Sequence, residues 1–90
     1  MVTISNRRIH EISVEQENLF LTTVHVPGEN EDAEGIVKLV ISPQTVIFNG
    51  EGMSVPANAL CVGMMINAVI SDAMTLSLPP QTAAYEVCVL

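Results

Sequence analysis

His10, which stands beside Glu11, and His25 are the histidines of the chain, and Cys61 and Cys88 are its cysteines. A metal centre needs such ligands at short, recurring spacings, and no two of these four residues stand at one. A nucleophilic cysteine would need Cys61 or Cys88 to meet a distant histidine in space, and the spacing gives no sign of that. Carboxylates for acid–base work would have to come from Glu29, Glu31, Asp32 and Glu34. That segment reads as too solvated to hold a raised pKa. No enzyme is expected, and no metal or cofactor.

Two other clusters can bind rather than react. The first is NGEG, residues 49–52, between an expected strand and an expected helix. Backbone amides of Gly50, Gly52 and Ser54 at a helix start could face a phosphate, with Arg7, Arg8 or Lys38 supplying counter-charge. There is no third glycine and no P-loop lysine, and Glu51 opposes an anion. The second is PGENEDAEG, residues 27–35. It is not an EF-hand loop, because Gly35 is seventh from Glu29 where a glycine is needed sixth. Glu29, Glu31, Asp32 and Glu34 form either a solvated hairpin tip or an acidic finger for a basic partner.

The chain has 90 residues, three Lys or Arg, ten Asp or Glu, and a formal net charge of −7. One domain is expected over residues 1–90. An acidic surface repels phosphate backbones and anionic membranes, so neither nucleic acid nor a membrane is an expected partner. Seven of the acids and all the cations precede residue 39; Glu51, Asp72 and Glu86 are the only charges after it. Such a bland second half is expected to meet another polypeptide. Residues 1–15 contain no apolar signal-peptide core, and the cysteines form no CxxC pair, so the expected location is cytoplasmic.

The elements that must position these residues are mostly strands. Segments 7–14, 19–26, 35–42, 45–50 and 83–90 are rich in β-branched residues and bounded by Gly, Pro and Asn. The face changes between Ile9 and Ile12, which implies a bulge or two short strands. Residues 52–71 carry no charge, and Ser54 and Pro56 read as a helix start. Length would permit a membrane span, but Pro56, Asn58 and Asn67 and the lack of flanking cations argue against one.

The expected fold is therefore α+β: an antiparallel-rich sheet of four to five strands packed on one long helix near residues 55–72. On that helix Ala59, Gly63, Asn67 and Ser71 would form a small stripe flanked by Leu60 and Met64. These six residues are the expected oligomer interface, with a homodimer the simplest assembly. The expected function is a small acidic protein-binding module (an adaptor, inhibitor or chaperone-like protein), in keeping with bacterial or phage accessory proteins of similar composition. The alternative is an oligomeric binder of an anionic small molecule such as a nucleotide.

Overall fold

The computed structural model describes residues 1–25, 35–76 and 79–90. β1 (Val2–Glu15) and β2 (Asn18–His25) form an antiparallel hairpin. Its two-residue turn places Gln16 at φ 50° and Glu17 at φ 70°. Positive φ at both central residues gives the turn the twist that hairpin strands require.

β1 bends twice. Its register slips against β2 between Ile9 and Glu11, leaving His10 as the extra residue. This is the face change anticipated between Ile9 and Ile12. A second slip, against β5 (Met65–Ile70), lies between Ile4 and Arg7, where Asn6 adopts φ 56°. Each bulge moves the inward set by one residue, so Ile4, Arg7, Ile9 and Ile12 all face the interior of a curving strand.

β3 (Ile36–Ile41) pairs antiparallel with β2. β3 and β4 (Val46–Asn49) then run successively along one edge of β6 (Gln81–Val89), both parallel to it. The bend between them is fixed by Thr45. Its hydroxyl accepts from the Ser42 amide at 3.0 Å and donates to the Ala84 carbonyl at 2.7 Å. β5 lies between β1 and β6, antiparallel to both. The order is β3-β2-β1-β5-β6-β4, and the β3–β6 pairing closes it. Five strands thus form a closed barrel, with β4 extending the β3 wall. A three-stranded meander closed in this way by two later strands is the connectivity of OB-type Greek-key barrels.

The core is aliphatic: Ile4, Ile9, Leu21, Val37, Leu39, Ile41, Ile47, Leu60, Ile66, Ala68, Ile70, Ala84 and Val87. The α+β expectation is overturned. Residues 55–72 form no long helix; they hold a single 3-10 turn, Ala57–Ala59, and then β5. Gly63 at φ 97° lies outside helical space. Beyond it, burial alternates: Ile66, Ala68 and Ile70 face in, while Met65, Asn67 and Val69 are half-exposed. The β-branched Ile66, Val69 and Ile70 favour that extended form. Among the described residues no helix is long and apolar enough to cross a membrane.

Candidate functional site

The barrel separates the residues that an anion site would need. Gly50, Gly52 and Ser54 lie in the turn after β4, where the Asn49 side-chain carbonyl accepts from the amides of Glu51 and Met53. Phe48 bridges Ser54, so an extended segment, not a helix, follows the turn. Lys38 sits beside Gln81, whereas Asn49 sits beside Val89 on the same strand. Eight residues of strand put them about 26 Å apart. Arg8 is exposed on β1, with β5 and β6 between it and that turn.

Arg7 is not a surface cation. It is 1% exposed. Its Nε donates to the Thr23 hydroxyl at 3.2 Å, and its Nη2 donates to the carbonyls of Thr23 at 3.0 Å and Gly35 at 2.8 Å. The Thr23 hydroxyl in turn donates to the Val37 carbonyl at 2.9 Å. The guanidinium therefore links the end of β2 to the residue preceding β3, at the root of the acidic segment. Glu29, Glu31, Asp32 and Glu34 themselves lie outside the described residues.

The expected helical stripe does not exist as a surface. Leu60 is buried in the core, Ala59 and Gly63 are exposed on the loop before β5, and Met64 is half-buried against the core. Asn67 points outward on β5, where its side-chain carbonyl accepts from the Asn6 amide at 3.0 Å. Ser71 follows β5 and caps a turn to Ala73.

Two outer walls remain. On the first, β2 and β3 present Phe20, Val24, Ile36, Lys38 and Val40, with Thr22 buried among them. OB-type barrels often receive ligands on this wall. Here the Lys38 ammonium lies 4.8 Å from the Phe20 ring centroid and 3.6 Å from Glu15. One aromatic ring already covered by the only lysine is a poor platform for stacked bases.

The second wall is formed by β5, β6 and β4. The register aligns Val69 with Glu86 and Glu86 with Val46; the next outward row aligns Asn67, Cys88 and Phe48. Met65 continues the face beside Arg8, and Tyr85 stands out at the β6 slip. Val46 and Tyr85 are exposed, while Phe48, Met65, Val69 and Cys88 are half-exposed. This wall is where the charge-poor half of the sequence reaches the surface. Helical spacing concealed it; period-two spacing of residues 65–70 reveals it.

Among the described residues, chemistry does not gather elsewhere. His10 is exposed at the β1 bulge, and Cys61 and Cys88 are free thiols. Among the described residues no three His, Cys, Asp or Glu approach as metal ligands do. No family model, no curated protein and no solved structure compared with this chain matches it.

Proposed function

We propose that this chain is a non-enzymatic protein-binding module, acting as an adaptor, inhibitor or chaperone, and that it works as a homodimer joined through the β5–β6–β4 wall. The observation that carries this reading is the outward set Val46, Phe48, Met65, Val69, Tyr85 and Cys88, which Glu86 alone interrupts with charge. Two copies at −7 each repel one another over most of their surfaces. They approach at least cost where charge is absent, and burial of half-exposed aliphatic side chains then drives association. Free thiols at Cys61 and Cys88 suit a reducing compartment, which supports a cytoplasmic location.

Sedimentation equilibrium at tens of micromolar tests the assembly. A dimer mass is expected, and Val69→Lys is expected to give monomer with its melting temperature little changed. A monomeric wild-type chain would remove the dimer from this proposal.

A further inference from the structure

We propose that the free edge of β1 at residues 11–15 is a docking site for one extended, cationic segment of a partner protein, which adds as a further strand. This rests on the reading of the chain as a protein-binding module, but on a different surface from the dimer wall.

The edge follows from the hairpin register. A two-residue turn makes Glu15 and Asn18 the closing, doubly hydrogen-bonded pair. Hydrogen-bonded and non-bonded pairs alternate along an antiparallel ladder. Ser13 with Phe20 is therefore bonded to β2, while Val14 with Leu19 and Ile12 with Leu21 are not. The amides and carbonyls of Ile12 and Val14 thus point away from β2. Ile9 shows which way that is: its amide donates to the Met64 carbonyl at 2.9 Å, and its carbonyl accepts from the Gly63 amide at 2.8 Å. β5 pairs with β1 no further than Arg8, so this second ladder stops at Ile9. Among the described residues nothing continues it, and Ile12 and Val14 offer two donors and two acceptors in line with it.

The side chains specify what fits. On one face of the edge Ile12 packs against the core, and Val14 is 69% exposed beside half-buried Leu19. On the other face stand Glu11 and Glu15, with Glu17 in the turn. Glu15 touches Lys38 at 3.6 Å yet its side chain remains 62% exposed. An incoming strand that alternates apolar and basic residues covers Val14 on one face and meets the carboxylates on the other. A second copy of this edge does not fit: antiparallel pairing about Ser13 sets Glu11 against Glu15 of the other copy twice over. Acids on an open strand also serve simply to keep other chains away, and the experiment separates the two roles.

The probe is an acetylated octapeptide alternating lysine and valine, labelled for anisotropy. Saturable binding is expected, with the Ile12 and Val14 amides becoming protected from hydrogen exchange. The same peptide N-methylated on alternate residues should bind at least tenfold more weakly, a difference of about 1.4 kcal/mol. A glutamate–valine peptide should not bind. Val14→Pro removes an edge donor without removing a β2 hydrogen bond, and proline is tolerated on such an edge. It should cost a comparable factor, and Glu11→Gln with Glu15→Gln should weaken binding as salt does. No binding at millimolar peptide, or equal binding of the N-methylated peptide, overturns the proposal. The methylated peptide tests the wild-type chain and so decides even if a variant misfolds. A dimer that ignores the peptide removes this edge and keeps the wall; a monomer that binds it does the reverse.

Discussion

Arg7 and Arg8 are neighbours of the same type, yet replacing each by methionine should have very different effects. Methionine keeps much of the arginine stem but carries no donor. At position 7 the substitution abandons the carbonyls of Thr23 and Gly35 and the Thr23 hydroxyl. These losses are unequal. Gly35 is exposed, so water can replace its partner. The Thr23 hydroxyl keeps its bond to the Val37 carbonyl. The Thr23 carbonyl stays opposite Val37 in the β2–β3 ladder, so it loses one donor and is not orphaned. The cost is therefore that of the lost charge-assisted bonds in the buried interior, about 1.5–3 kcal/mol. Against this, an arginine need no longer be desolvated, and replacing an entire buried ionic group can be neutral. Here two of the named acceptors are backbone carbonyls and stay behind, so destabilisation wins, at about 2–3 kcal/mol.

Urea denaturation with an unchanged slope is the assay, and in a domain of this size each kcal/mol moves the melting temperature by about 4–8 °C. Arg8→Met, at an exposed site, should stay within about 0.5 kcal/mol of wild type. An Arg7→Met protein as stable as wild type would show instead that burying the guanidinium costs as much as its bonds return.

Leu60→Ala should cost about 2–4 kcal/mol by chemical denaturation, because Leu60 is the buried residue that the segment between β4 and β5 sends into the core. Gly63→Ala should cost about 1–2 kcal/mol, read the same way; an added Cβ meets no atom within 4 Å, so the cost comes from φ 97° alone. Lys38→Met should change stability by less than about 1 kcal/mol and lose its salt dependence in thermal melts, since its contacts are an ion pair with a mostly exposed glutamate and a ring face.

The strands were legible because β-branched runs and turn residues mark them. Val37, Leu39 and Ile41 alternate with Ile36, Lys38 and Val40, and burial follows that alternation. The bulge at His10 was legible for the same reason: an inward residue falls out of step. Residues 65–70 were not legible, because a short apolar run satisfies a helical and an extended period equally well. Only Gly63 and the β-branched residues tilt the balance, and tertiary pairing with β1 and β6 decides it. The interior position of Arg7 was invisible for a different reason. Two bulges, at Asn6 and His10, set the phase of β1, and a one-residue change of phase exchanges Arg7 with Arg8. The helix that was to carry the candidate interface does not form, but the observation beneath it, a charge-poor second half, survived as the outer wall of β5, β6 and β4.

Closing the barrel explains why that survival is more than coincidence. β1, β2 and β3 come from the half of the chain that carries Arg8, Glu11, Glu15 and Lys38; β4, β5 and β6 come from the half that carries only Glu51, Asp72 and Glu86. The strand order keeps each half together as one wall, joined at β1–β5 and β3–β6. Sequence asymmetry therefore becomes surface asymmetry. Barrel closure also uses up most strand edges, which among the described residues leaves the hairpin end of β1, beyond the last bond to Gly63 and Met64, as an open ladder on the charged side. The neutral wall proposed for a second copy and the acidic edge proposed for a cationic strand are thus separate surfaces. Disabling one by Val69→Lys and the other by Val14→Pro should leave the remaining activity intact in each case.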